Sequence, residues 1–180
     1  MLQRAQRSGP RSVGARIAIV ASEYNRRHVD ALLDGARRVL EEAGAEVEVF
    51  RVPGAFEIPV TVECLLAGEG AGAPSNRRRW SAVVCLGVII RGETAHADLV
   101  GTSVTDALMS LSLRHRVPVV HEVLLVTGLA QADARCLDPR HNRGVEAART
   151  ALMMGRLLAR VRSGDRTWGQ RHANRSRKEA

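Results

Sequence analysis

The 180-residue chain is poor in several residue types that would announce a class of protein. It has one lysine, Lys178, one tyrosine, Tyr24, and three cysteines, Cys64, Cys85 and Cys136. So few cysteines exclude a disulfide-stapled scaffold. Their odd number, with two of them in strongly apolar runs, points to reduced thiols in a cytosolic compartment. No uninterrupted apolar stretch approaches the ~20 residues needed to span a bilayer. The first sixteen residues have no acid and no apolar segment of the secretory kind. Being Arg-rich, they fit an organelle-targeting peptide weakly and an unstructured leader better. Internal repeats are absent, as are a Walker lysine, a G-x-G-x-x-G fingerprint and a G-x-S-x-G elbow. Cys136, Asp138 and His141 cluster locally, but their spacing matches no zinc site, and no Cys–His pairing suits nucleophilic catalysis. What remains, 45% hydrophobic and 26% charged residues, is the composition of an ordinary globular domain.

The net charge of +8 suggests nucleic acid until it is located. Residues 1–16 carry four arginines and no acid, and residues 162–180 carry five arginines and Lys178 against Asp165 and Glu179. The stretch 68–79 adds Arg77, Arg78 and Arg79 against Glu69. The basic character therefore belongs to appendages and the body is slightly acidic. That speaks against a nucleic-acid reader, which carries its basic face within the fold.

Short apolar runs alternate with helical patterns. Residues 16–21, 46–52, 81–90 and 117–126 read as strands, the third so uniformly apolar that both its faces must be covered. Helices are expected over a stretch following Asn25 and ending before Gly44, then over 55–67, with Pro59 in the first turn, 95–115, 129–136 and 143–161. Strands separated by helices in this order predict an α/β domain around a parallel sheet. Three segments flank the domain or interrupt it: a disordered basic leader (1–15), an inserted Gly/Pro/Ser/Arg loop (68–79) and a disordered basic tail (162–180).

Open parallel sheets bind ligands beyond the carboxyl ends of their strands, which directs attention to residues 22–25, 53–57, 91–96 and 125–127. The run from Arg91 to His96 leaves the most buried strand and enters a helix. Gly92 permits close backbone approach and Thr94 is placed to cap the helix, whose free N–H groups suit a phosphate. His96, in the first turn, can shuttle protons near neutrality; a plain cap with an exposed histidine explains the same spacing. Glu57 stands at another helix start, where a carboxylate either meets a ligand or only complements the dipole. Tyr24 beyond the first strand can stack on a planar ligand or simply pack.

The pieces IVASEYN (19–25), VPGAFEIP (52–59), LGVIIRGETAHADLV (86–100), VPVV (117–120) and NRGVEAARTAL (142–152) stand in the order and near the spacing found in lumazine synthases. The chain resembles that family over residues 16–161, and the second and third pieces together are highly specific. The resemblance implies a flavodoxin-like three-layer α/β/α sandwich with a four-stranded parallel sheet. It also implies an enzyme that condenses 5-amino-6-(D-ribitylamino)uracil with 3,4-dihydroxy-2-butanone 4-phosphate without metal or organic cofactor. Its products are 6,7-dimethyl-8-ribityllumazine, phosphate and water, in the penultimate step of riboflavin biosynthesis.

By position, the resemblance puts Tyr24 at the pyrimidine ring, with Asn25 following it. Ala55 and Glu57 fall on the ribityl side, with Phe56 between them as a further substrate-binding residue, and Val88, Ile89 and Ile90 along the ring pocket. Gly92, Glu93 and Thr94 fall at the substrate phosphate, with His96 as the proton-transfer histidine. Arg135 aligns with an arginine that a neighbouring subunit sends to the phosphate, Arg143 with a common lysine, and His121 with a ring contact that is often phenylalanine. Ala97 replaces a frequent aromatic. The partners so implied are small-molecule substrates, further copies of the chain in a pentamer or a 60-subunit shell, and riboflavin synthase, in the cytoplasm and without membrane. Two other readings compete: a catalytically silent shell protein whose basic tails hold anionic cargo, and a general phosphate-binding regulator. Substrate turnover separates all three.

Overall fold

The computed structural model describes residues 14–68 and 79–164; the expected leader, inserted loop and tail lie almost wholly outside the described residues. The elements run β1 (Arg16–Ser22), α1 (Arg26–Glu42), β2 (Glu46–Val52), a 3-10 turn (Ala55–Glu57), α2 (Ile58–Ala67), β3 (Ala82–Ile90), α3 (His96–His115), β4 (Val119–Val126), α4 (Leu129–Cys136) and α5 (Arg143–Ser163). All four strands are parallel, in the order β2-β1-β3-β4. The flavodoxin-like sandwich expected from the sequence is present.

Alternation along β1 and β3 sends side chains to both faces. Ile17, Ile19, Val84 and Leu86 pack against Leu32, Ala36 and Leu40 of α1 and Ala147, Ala148 and Ala151 of α5. Ala18, Val20, Val83 and Cys85 pack against Ile58 and Val62 of α2 and Val104, Leu108 and Leu111 of α3. Near-continuous apolar sequence is the price of being covered twice.

The first face is closed at backbone distance. A Cβ on Gly144 would lie 1.9 Å from the Leu32 carbonyl oxygen, so α5 can cross α1 there only with glycine. Asn142, the N-cap of α5, is buried and does three jobs. Its Oδ1 accepts from the Val145 N–H at 3.2 Å, and its Nδ2 donates to the carbonyls of Ala31 at 2.9 Å and Cys136 at 2.5 Å. One side chain thus joins α1, α4 and α5. At the end of α1, Gly44 (φ 76°) donates to the Glu41 carbonyl and Ala45 to that of Leu40, the paired bonds of a Schellman motif.

Three boundaries differ from the sequence reading by two residues or more. The segment 55–67 opens with a 3-10 turn, and the α-helix proper starts at Ile58 with Pro59 in its first turn. The last strand starts at Val119 rather than 117, because Pro118 has no N–H to give the ladder; its carbonyl still accepts from Val83 at 2.8 Å. The last helix continues two residues beyond 161, to Ser163, and ends on Gly164 in the left-handed region.

Candidate functional site

The chain reverses its direction of travel across the sheet between β1 and β3, and ligands of such folds settle at the carboxyl ends beside that point. Here the turns leaving the strands are tied to one another. Glu23 and Tyr24 donate their N–H groups to the carbonyls of Val52 at 2.8 Å and Pro53 at 3.1 Å, welding the β1–α1 turn to the turn after β2. Asn25, held at φ 54° in the left-handed region that asparagine tolerates, donates from Nδ2 to the Val88 carbonyl at 2.7 Å. That bond ties the same turn to β3. Arg91 donates its N–H to the Val126 carbonyl at 2.8 Å, joining the β3–α3 turn to β4. The four segments singled out by sequence are thereby tied in two pairs at the carboxyl end of the sheet, 22–25 with 53–57 and 91–96 with 125–127, and Asn25 links the first pair to β3.

The side chains presented there are open. Tyr24 is 73% and Phe56 63% exposed, and Gly92, Glu93, Thr94 and His96 are exposed as well. A Cβ added at Gly92 would meet nothing within 4 Å, so an anion can reach the backbone at this point. The Glu57 carboxylate lies back over Gly54, where a Cβ would stand 2.9 Å from its Oε2; a side chain there would push that carboxylate aside. The α3 N-terminus differs in detail from the sequence reading. Ala95 occupies the N-cap and no side chain caps it. Thr94 stands one residue earlier and accepts a long 3.4 Å bond from the His96 N–H, leaving the other early amides of a twenty-residue helix open to a ligand. Arg91 pairs with Asp98, bracing the turn from outside.

Not every residue taken from the resemblance reaches this crevice by its side chain. Val88 and Ile90 point into the α1/α5 face and Ile89 into the α2/α3 face, so the three line different walls, and the buried Val88 offers its backbone. His121 pairs with Cys85 in the register, whereas the strand ends pair Ile90 with Val126, five residues further on, or roughly 17 Å at ~3.3 Å per residue. It does not face the crevice of its own chain. It lies against α3, its Nε2 3.0 Å from the Thr105 Oγ1, and desolvation there lowers its pKa. Arg135, on α4, is exposed and makes no ion pair with a described residue. Arg143 is committed: its Nε donates to Glu122 Oε1 at 2.8 Å, and Nη1 pairs with Glu146.

Glu122 is the residue that sequence reasoning passed over. It is buried, and burial raises its pKa even though Arg143 pulls the other way. A signal existed, since an acid occupies the same strand face as Val120, Leu124 and Val126. The buried His28, bonded to Asp133 of α4 at 2.7 Å, left no comparable trace. Cys85 and Cys136 are buried and their thiols pushed up, Cys136 to about 11, chiefly by desolvation; Cys64 is exposed, and all three are free. Among the described residues no group of acids, histidines and cysteines could hold a metal ion, and no helix is long and apolar enough to cross a membrane.

The family model described as 6,7-dimethyl-8-ribityllumazine synthase matches residues 14–159. Curated proteins of that name are similar over most of their length. One from Xanthobacter autotrophicus is 45% identical over 148 residues, 82% of this chain and 87% of the relative. One from Azorhizobium caulinodans is 42% identical over 154 residues, 85% and 92% of the two chains. One from Xylella fastidiosa is 38% identical over 154 residues, 84% and 94% of them.

Proposed function

The chain belongs to the 6,7-dimethyl-8-ribityllumazine synthase family, and from that premise we propose that the crevice at the carboxyl ends of β1, β2 and β3 is its active site, completed by a neighbouring copy. The protein is a transferase of riboflavin biosynthesis that condenses the ribitylaminouracil with the four-carbon phosphate. The silent-shell reading is not favoured.

In this reading Tyr24 stacks on the pyrimidine, and Ala55, Phe56 and Glu57 meet the ribityl chain. Gly92, Glu93 and Thr94 present backbone to the phosphate at the positive end of α3. The chemistry needs imine formation, loss of phosphate and ring closure, each paced by proton transfers between groups held in proximity. His96 moves those protons, and the amides at the α3 start stabilise the departing phosphate. The observation that carries the assignment is the bonding of the β1–α1 turn to the turn after β2 and to the end of β3, beside the exposed Tyr24, Phe56 and His96.

His121 and Arg135 serve the crevice of an adjacent subunit. Support comes from His121 standing far from its own strand end and from the exposed, unpaired Arg135. Arg143, occupied by two carboxylates, secures the start of α5 beside the phosphate rather than gripping it alone. Leu99, Met109 and Leu113 on α3 and Val60 on α2 are exposed apolar side chains suited to the packing of copies in a pentamer. The α4–α5 turn is short and self-contained, with Asp138 accepting from the Arg140 N–H and the His141 ring at 2.8 Å each. Such a turn leaves room for pentamers to close into a 60-subunit shell, in the cytoplasm, with riboflavin synthase a candidate partner.

His96→Ala should cut turnover about 10²–10⁴-fold in steady-state assays. Mixing His96→Ala with Arg135→Ala subunits should restore part of it, because hybrid rings contain intact mixed sites. An unchanged kcat in His96→Ala removes that residue from the mechanism. Absence of recovery despite proven subunit exchange places the whole site in one chain.

A further inference from the structure

The helix that carries Arg135 is too short to hold itself. At eight residues, α4 falls below the ~12–15 residues at which isolated helices become even marginal in water. Its inner surface offers the core only two small buried side chains, Ala132 and Cys136. Its ends are pinned by the Asn142 bond to the Cys136 carbonyl and by Gln131 Oε1 accepting from the Thr127 N–H at 2.9 Å. These pins and the two small side chains hold the ends and the inner surface; the bond that ties the outer flank of the helix to α1 is His28 Nε2 to Asp133 Oδ1 at 2.7 Å. The His28 side chain is 6% exposed and that of Asp133 47%, so the imidazole is the fixed member and the acid the adjustable one. Asp133 and Arg135 are two residues apart, roughly 200° around the helix. Drawing Asp133 in against α1 therefore turns Arg135 outward.

We propose that His28 and Asp133 are positioning residues that set the rotation of α4 and so aim Arg135 at the phosphate subsite of the neighbouring copy. The inference rests on the site reading above. Its distinguishing consequence is selectivity. A bond that only stabilised the fold would, when lost, lower the amount of active enzyme. A bond that aims one arginine should change how one substrate binds.

Purified His28→Ala, Asp133→Asn, Arg135→Ala and the double variant His28→Ala/Arg135→Ala should be compared with the parent in steady-state assays varying each substrate. His28→Ala should raise KM for 3,4-dihydroxy-2-butanone 4-phosphate about tenfold, the scale of one hydrogen bond to a charged group. KM for the ribitylaminouracil and kcat should stay within about twofold. The double variant should be no worse than Arg135→Ala, and His28→Gln, whose amide can still donate to Asp133, should recover most of the loss. Should His28→Ala fail to fold, Asp133→Asn carries the same test, with a smaller rise confined to the phosphorylated substrate. Effects that add to those of Arg135→Ala, or that fall equally on both substrates, overturn the inference alone. An unchanged KM in Arg135→Ala overturns the subsite reading and the inference with it.

Discussion

The two faces of the sheet are finished in different ways. On the α1/α4/α5 face the helices meet at backbone distance through Gly144, and polar side chains cross the interfaces: Asn142 to three helices, His28 to Asp133, Arg143 to the buried Glu122. On the α2/α3 face the centre of the packing is apolar and the polar pairs stand at its margins, Arg16 with Glu48 over Trp80 and Glu63 of α2 with His115 of α3, while the outer surface still shows Val60, Leu99, Met109 and Leu113 to solvent. Polar groups inside a fold must be satisfied at the right angle, so they specify one arrangement. Bare apolar surface specifies little and gains most by being covered. Both faces leave apolar side chains outside, Leu129, Met153 and Val161 on α4 and α5 against four on α2 and α3, and the α2/α3 face, with fewer polar ties of its own, is the one better suited to being covered by a second copy.

The largest way to break this contrast is to remove one partner of the buried pair. Arg143→Ala should cost about 3 kcal/mol at neutral pH, the low end for breaking such a pair because Arg143 is itself half-buried, since Glu122 loses the cation that offsets its burial. Glu122 has a folded pKa above its unfolded one. Its contribution to stability is thus fullest below the ordinary carboxylate range and is lost as pH rises through the folded value. Denaturant unfolding from pH 4 to 8 should show the deficit of Arg143→Ala widening with pH; a flat deficit would mean that Glu122 carries no charge.

Of similar size is Gly144→Ala, expected to cost about 3 kcal/mol by forcing α5 away from the Leu32 carbonyl. The control is Gly92→Ala, where a Cβ meets nothing. It should leave stability within about 0.5 kcal/mol while lowering activity, since the methyl group stands where the phosphate approaches. Equal thermal stability of the two variants would dissolve the distinction between a packing glycine and a site glycine.

On the other face, Leu113→Asp should change subunit stability by no more than about 0.5 kcal/mol, as surface changes do, yet abolish assembly. Sedimentation in physiological salt reads the difference, and a variant that still sediments as an oligomer would take α3 out of the interface. The smallest effect is at His121. Desolvation lowers its folded pKa, so its contribution to stability is present above the unfolded value and fades as pH falls through the folded one. NMR titration should find His121 protonating below the ordinary histidine value, and Thr105→Val should move its midpoint.

Much of this was legible beforehand for definite reasons. The run from Ala82 to Ile90 announced a doubly covered strand, since only burial on both faces tolerates so few polar atoms. Gly44 announced the end of α1, since its positive φ suits glycine. The crevice segments were found from topology, as strand ends followed by Gly, Glu and His. Thr94 shows the limit of such reading: a residue type that caps helices stands one position too early to do so, and local preference cannot resolve one residue of register.

Sequence alone therefore determined the layers, the order of elements and the crevice, because periodicity and turn chemistry are local and act within a few residues. Tertiary structure decided everything that depends on two distant residues sharing a place. His28 meets Asp133 across 105 positions of chain, Gly144 meets the Leu32 carbonyl, and Glu122 captures Arg143. The sheet register carries His121 away from its own crevice. Apart from the acid on an apolar strand face at Glu122, these pairs have no signature in their own neighbourhoods, since a hydrogen bond or a close approach depends on distance in space, and the packed core alone sets that distance.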